Sequence, residues 1–422
     1  MKICFIADGN SIHARRWIEY FCKPENEIHI LSTTYCTKPI EGATVHNLPT
    51  SGKSDIPIDG IGVRLVSYSS NLPPEQRRSI NIGKLIPRGV RESEIFNVVY
   101  LLYRVFKFKN KAKIIVEKLQ PDLVHCLRLP IEGWIGGLVG YRPLVMTTFG
   151  NDMVYFAQKY SICRWLTEKA MSKTDLYFSD SFRDKYIAEV YGFSPSSLTF
   201  ITPVTGGLKL EEFPIHQKNL STVQAARRKL GIAQDTNLLI SVRGFKSFYI
   251  YTEALIKAIP KIVQEFPNTA FVLKGNTQTK GYLQLKELAK QLEVEKYIRF
   301  TDRLNVEELV DYFTASDIMV SVILYDGCPI SMLEGMAYGL IPAMSVHSPI
   351  QEWIIDGWNG YLFNPRDSED IARTITNALK SKNKFGVMRE RNWDLIENRA
   401  DCYKNMKIAE KMYRQVVNKD NI

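Results

Sequence analysis

Asp326 and Glu334, with seven residues between them, lie in Tyr325-Asp326-Gly327-Cys328-Pro329-Ile330-Ser331-Met332-Leu333-Glu334-Gly335-Met336-Ala337-Tyr338-Gly339. The stretch reads as a turn that opens a helix. An apolar strand precedes it (Asp317–Val322), Pro329 suits a first helical position and Gly339 suits a C-terminal cap. A helix starting at the carboxyl end of a parallel strand aims N–H groups and the positive end of its dipole at whatever lies there, and a diphosphate is a natural partner. Gly327, Cys328, Pro329, Ile330 and Ser331 would form that anion site. Glu334 lies ~7.5 Å along the helix, on the face of Ile330, and Asp326 sits just before the turn. Two carboxylates can therefore bracket a phosphate and accept hydrogen bonds from hydroxyls on either side. An ordinary βα turn with a solvated Glu334 satisfies the same spacing.

The elements that must position these groups alternate in kind. Short β-branched runs separate segments of helical periodicity over most of the chain, the pattern of parallel α/β sheets. Strands are expected at Lys2–Ala7, Ile28–Leu31, Val63–Val66, Leu123–Cys126 and Leu144–Thr147. After a polar stretch, residues 216–236, they resume at Asn237–Val242, Ala270–Leu273, Tyr297–Phe300, Asp317–Val322, Ile341–Ser345 and Gly360–Phe363. Helices are expected at Tyr251–Phe266, Leu283–Leu292, Val306–Ala315, Ile330–Tyr338 and Glu369–Leu379. Pro260 is expected to kink the first, and Asp367 with Asp370 to form a capping box for the last. Two αβ blocks follow: residues 1–215, completed by a C-terminal helix at 398–422, and residues 216–397. The C-terminal segment has helical spacing and no strand after it, so it is expected to cross to the first block.

Composition narrows the class. The 422 residues are 45% hydrophobic and 24% charged, which excludes a disordered or collagen-like chain. Seven cysteines without CxxC spacing fit a reducing cytoplasm rather than a disulfide framework. The apolar start is too short for a signal peptide, and no run approaches the ~18 apolar residues of a membrane span. Ser51-Gly52-Lys53-Ser54 lacks the upstream glycine of a P-loop, since position 47 is Asn. The six histidines show no HxxxH or HExxH spacing, and neither GxSxG nor Asp-x-Asp occurs. No metal site is expected. His125, in Pro121-Asp122-Leu123-Val124-His125, reads equally as a buried structural histidine or a ligand.

Asp326 and Glu334, followed by Gly335 to Pro342 in a Gly-Met-Ala-x-Gly-x-x-Pro pattern, resemble the acidic-x7-acidic signature of glycosyltransferase family 4. Gln351-Glu352-Trp353-Ile354 and Gly357 to Phe363 extend the likeness, which covers nearly the whole chain. The resemblance implies the GT-B fold, two Rossmann-like doubly wound domains facing across a cleft. It also implies a nucleotide-sugar donor on the second domain, an acceptor on the first, retention of anomeric configuration and no cofactor, the UDP- or GDP-linked sugar being substrate. By the same resemblance Arg243 and Lys246, after the first strand of the second block, hold the donor phosphates and act with Asp326 and Glu334 as the catalytic set. Gly275 joins the donor site. Gly9, Asn10 and His13 of the first βα loop, with Gly150, Asn151 and Asp152, would line the acceptor side. Two departures stand out: the first acidic residue is Asp326 rather than the commoner Glu, and Phe149 replaces the His of a His-Gly-x-Asp segment.

Residues 77–118 hold eleven basic side chains against three acidic ones, a net +8 of the chain's +10. At about 100° per residue, Arg104, Lys107, Lys111 and Lys118 fall within about 60° of arc, opposite Ile95, Val98, Leu102 and Phe106. Lys109 and Lys113 break the pattern, which suggests a helix end near Asn110. A solvated face explains the run; so does attraction to anionic lipid headgroups at the inner face of the cell membrane. The resulting expectation is a cytoplasmic glycosyltransferase of cell-envelope glycan biosynthesis, without nucleic-acid partners, acting on a glycan or lipid-linked acceptor. The alternative is a catalytically silent nucleotide-sugar-binding or assembly protein of the same fold. A GT-B-like epimerase has nothing resembling its catalytic set here.

Overall fold

The computed structural model describes residues 1–49, 94–150, 152–213, 219–245 and 250–419. The expected strand Val63–Val66, the Ser51–Ser54 segment, Asn151 and Lys246 lie outside them. The chain divides into two compact units, one of Met1–Gly206 with Tyr403–Ile422 and one of Gly207–Cys402. The first break falls ahead of residue 215 because Leu208 is already built into the second unit, donating its N–H to Ala400 and accepting that of Cys402.

In the first unit the strands are β1 (Lys2–Ala7), β2 (Glu27–Ser32), β3 (Ala43–Asn47), β4 (Leu123–Leu127), β5 (Leu144–Thr147), β6 (Leu176–Ser179) and β7 (Leu198–Ile201). They form one parallel sheet in the order β3-β2-β1-β4-β5-β6-β7. In the second, β8 (Asn237–Ser241), β9 (Thr269–Lys274), β10 (Ile298–Thr301), β11 (Ile318–Ser321), β12 (Ile341–Ser345) and β13 (Tyr361–Phe363) pair in parallel as β10-β9-β8-β11-β12-β13. Central strands such as β4 and β12 are buried at every position, as sheets covered on both faces require. Strand order reverses between β1 and β4 and between β8 and β11, and ligands of doubly wound sheets bind beyond the carboxyl ends at such points. Strands β3, β6 and β7 escape sequence reading: each has four or five residues, and β3 and β7 are edges with no buried alternation.

Helices that matter to the site are α1 (Ile12–Phe21), α2 (Glu94–Leu119), α3 (Phe182–Val190), α4 (Thr252–Glu265), α5 (Ile330–Ala337), α6 (Ser368–Lys380) and α7 (Cys402–Lys419). Pro260 lies within α4, which continues to Glu265. At α6, Asp367 caps the N–H groups of Glu369 and Asp370, but the reciprocal half of the box is missing: Asp370 accepts from Asn364 instead. Helix α2 does not end near Asn110. Its core-facing row of Val98, Leu101, Val105, Phe108, Ala112 and Val116 continues unbroken to the last turn and holds all 26 residues in one helix.

The α2 row also corrects the expected basic stripe. Arg104 is 3% exposed and donates from Nη2 to the Thr33 carbonyl, whereas Phe106 is 42% exposed. Lys111 donates to the carbonyls of Asn47 and Leu48. The four residues do not form one solvated face, because the core stripe turns Arg104 inward.

Helix α7 packs into the first unit. Tyr413 stacks on Phe21 at 4.7 Å between centroids, and its Oη accepts from Trp17 Nε1 at 3.0 Å and pairs with His125 Nδ1. His125 Nε2 meets Thr147 Oγ1 at 2.7 Å. Fully buried, the imidazole is held well below its usual pKa because burial disfavours the charged ring, so His125 is a structural residue.

Candidate active site

In the second unit the switch point explains which residues meet. Arg243 follows β8 and Asp326 follows β11, and these strands are neighbours. Arg243 Nε donates to Ser321 Oγ at 3.0 Å, and Nη2 lies 2.7 Å from Asp326 Oδ2. The second contact is off the N–H direction, so it is a charge contact rather than an aligned hydrogen bond. Asp326 Oδ1 accepts from the Gly327 N–H at 2.9 Å. The carboxylate that spacing assigns to a hydroxyl is thus turned toward Arg243, whose guanidinium it orients at the strand ends. Ser321 is fixed in turn, its carbonyl accepting from Ser345 Oγ at 3.1 Å.

The turn carrying Arg243 is pinned on both sides. Gly244 donates to the Lys274 carbonyl, and Thr252 Oγ1 donates to the Gly244 carbonyl. A Cβ on Gly275 would stand 2.6 Å from the Phe245 ring, so Gly275 is needed for the buried Phe245 to lock this turn. Pro329 is the cap of α5 rather than its first residue: at φ −70° and ψ 119° it is extended, and its carbonyl accepts the first helical bonds, from Met332 and Leu333. No side chain caps this end. At the other end Gly339, at φ 73°, closes a Schellman arrangement in which Gly339 N–H reaches Met336 and Leu340 N–H reaches Gly335. Cys328 is buried, and Ile330, Ser331 and Glu334 are half-buried at the rim of this turn.

The first-unit residues meet at the ends of β1, β2, β4 and β5. Asp152 is buried and organises the loop after β5: it accepts from Arg128 Nε at 3.2 Å and from the N–H groups of Leu129 and Phe149. Gly150 donates to Asp180 and accepts from Arg183. Asp180 and Asp184 are both buried beside Arg183; burial raises both pKa values, and the neighbouring Asp184 charge raises that of Asp180 further. Asn10 uses its side-chain amide on Thr34, Tyr35 and Thr37, so it staples a loop rather than facing outward. Gly9 is needed because a Cβ there would lie 2.8 Å from Ser32 Oγ. His13 is exposed, its ring edge-on to Phe149 at 6.0 Å between centroids. Among the described residues no three His, Cys, Asp or Glu side chains cluster as metal ligands would.

Two family profiles match the chain: Glycosyl transferases group 1 over residues 222–399 and Glycosyl transferase 4-like over residues 83–181. Among solved structures, sucrose-phosphate synthase from Thermosynechococcus elongatus superposes with a TM-score of 0.72 at 16% identity, covering 99% of this chain and 100% of that one. Anabaena HepE in complex with UDP gives 0.67 at 16% identity over 98% and 99%. The chain is a family 4 glycosyltransferase of GT-B fold. In sequence, the D-inositol 3-phosphate glycosyltransferase of Geodermatophilus obscurus is 24% identical over 202 residues, 46% of this chain and 43% of that protein. The match thus spans less than half the length of that relative. The glycogen synthase of Fusobacterium nucleatum is 21% identical over 372 residues, 72% and 78% of the two chains.

Several residues of this glycosyltransferase's candidate site had no signal in the sequence. Ser321, Ser345, Arg128, Asp180, Arg183 and Glu132 act through partners that only strand order brings near. Glu132 is 3% exposed in a turn after β4 where Arg128 and Ile131 have φ of 106° and 76°. One oxygen accepts from Thr33 Oγ1 at 2.5 Å and the other has no hydrogen-bond partner. Burial pushes its pKa up to about 7, against the pull of Thr33, Arg128 and Arg104. A raised carboxyl pKa means that folding favours the protonated form. The stabilisation is full below the unfolded value near 4.5 and is lost as pH rises through about 7. Glu132→Gln, which keeps the acceptor for Thr33, should therefore be more stable than wild type by ~2–3 kcal/mol at pH 8 and nearly equal to it at pH 4.5. Denaturant unfolding at the two pH values checks this; an equal difference at both would remove the assignment.

Proposed function

We propose that this protein is a retaining, metal-independent hexosyltransferase that moves a sugar from a nucleotide-sugar donor to a glycan or lipid-linked acceptor. The observation that carries the reading is Arg243, fixed at the switch point of the second unit by Ser321 and by Asp326, whose own position is four residues of chain before the uncapped start of α5. As the sugar–phosphate bond breaks, negative charge grows on the diphosphate. A pre-oriented guanidinium and a helix N-terminus stabilise that charge without reorganising. The acceptor oxygen forms the new glycosidic bond on the face the diphosphate leaves, and the leaving phosphate takes the acceptor's proton, so no basic side chain is required and Phe149 is compatible with turnover. Glu334 would accept hydroxyl hydrogen bonds from the donor sugar, and Lys246 would add a second cation. The HepE complexes with UDP and UDP-glucose support UDP as the first nucleotide to try, with GDP next.

The acceptor side is assigned to the first unit, and its place to cell-envelope glycan assembly at the cytoplasmic face of a membrane. No helix among the described residues is long and apolar enough to cross one. Thermal-shift titration with UDP, GDP, ADP and their sugars, with and without excess chelator, tests the donor site. A donor at 100 times its Kd adds ~2.7 kcal/mol of stability. One nucleotide series should raise the midpoint equally in both conditions; an absolute requirement for Mg²⁺ or Mn²⁺ would contradict a leaving-group site built from Arg243 and a helix N-terminus.

A further inference from the structure

Helix α2 buries one face and leaves the other to solvent. The outward face carries Val99, Tyr103, Phe106 and Ile114, which are 57%, 55%, 42% and 66% exposed. At about 100° per residue they fall within about 80° of arc, centred nearly opposite the buried row. Asn110 lies in the same sector, and Glu117, paired with Lys113, ends it. Lysines border the strip on both sides: Lys107 and Lys118 on one flank, Lys109 and Lys113 on the other. Lys107 lies over the Tyr103 ring and Lys109 over the Phe106 ring, each 5.3 Å from the centroid. The helix is about 39 Å long at 1.5 Å per residue.

We propose that this face is a membrane-docking surface, which seats α2 flat in the headgroup region of a bilayer containing anionic phospholipid. The inference deepens the reading above by naming the surface through which a lipid-borne acceptor is reached. The chemistry fits one occupant. An apolar strip one side chain deep enters the boundary between headgroups and acyl chains, and lysines on either flank lay their stems along it and reach outward to phosphates. Lysine is depleted in protein interfaces relative to the rest of the surface, whereas on an interfacial helix it lies beside the apolar face and meets anionic headgroups. The earlier one-sided stripe cannot do this: Arg104 is buried and Lys111 is bound to the Asn47 and Leu48 carbonyls.

The test is co-sedimentation of the whole protein with phosphatidylcholine vesicles, with or without phosphatidylglycerol, at low and high salt. Wild type should bind only the anionic vesicles, more weakly as salt rises. Changing Lys107, Lys109, Lys113 and Lys118 to Gln should lower partitioning at low salt on the order of a hundredfold. Changing Val99, Phe106 and Ile114 to Gln should abolish the fraction that persists at high salt. Circular dichroism and donor turnover should match wild type in both variants, so loss of docking is separable from loss of the donor site. Absence of wild-type binding to anionic vesicles at low salt, or wild-type partitioning by both variants, would overturn the proposal. So would a self-association of wild type on gel filtration that the apolar variant abolishes, since the face would then belong to a second copy.

Discussion

Arg243→Ala is expected to lower donor turnover on the order of 10²-fold or more while weakening donor binding far less. The guanidinium is held before the substrate arrives, by Ser321 Oγ and the Asp326 carboxylate, so its charge is in place when the diphosphate acquires its own. An interaction that strengthens between ground state and transition state appears in kcat rather than in affinity. Asp326→Asn keeps the shape but removes the orienting charge, and should show a weaker form of the same kinetic defect. Glu334→Gln should differ in kind, as a loss of ~1–3 kcal/mol in donor affinity, because the hydroxyl hydrogen bonds proposed for Glu334 would form already in the bound donor. Calorimetric titration with steady-state kinetics separates the three. Wild-type parameters in Arg243→Ala would remove it from the site.

The second large effect is on stability. Asp152→Leu should destabilise the protein by ~3–5 kcal/mol, because it leaves Arg128 without its ion-pair partner and two backbone N–H groups, of Leu129 and Phe149, without an acceptor. For a unit of this size that is a fall of about 6–20 °C in Tm. Asp152→Asn, which keeps an acceptor, should be milder. Calorimetry of the three proteins checks the order; a Leu variant as stable as wild type would show that Asp152 does not hold the loop.

What the sequence made legible was what is local. The turn, helix and glycine cap around Asp326 and Glu334 are consecutive in the chain, and their geometry follows from residue types. Contacts set by strand order were not legible. Nothing in the spacing of Arg243, Ser321 and Asp326 says that β8 and β11 are neighbours, so Asp326 was read as facing a hydroxyl when it also orients a guanidinium. The partners of Asn10 and Asp152 are hidden from the sequence for the same reason: Thr34, Tyr35, Thr37, Arg128 and Leu129 come from other loops. In α2 the periodicity is visible in the sequence but its phase is not, since Phe106 is exposed and Arg104 is buried. Val98, Leu101, Val105 and Phe108 fix the phase, and the buried guanidinium is tolerated because Nη2 reaches the Thr33 carbonyl.

The second unit is proposed to activate a nucleotide-sugar for transfer through Arg243. The most direct measurement is chromatographic release of free nucleoside diphosphate from the donor picked out by thermal shift, by wild type and by Arg243→Ala, with excess chelator present. Wild type should release nucleotide slowly, and faster when acceptor is supplied, whereas the variant should still bind donor but release little. Donor binding by wild type with no nucleotide released, even with membrane extract as a source of acceptor, would contradict activation by the second unit.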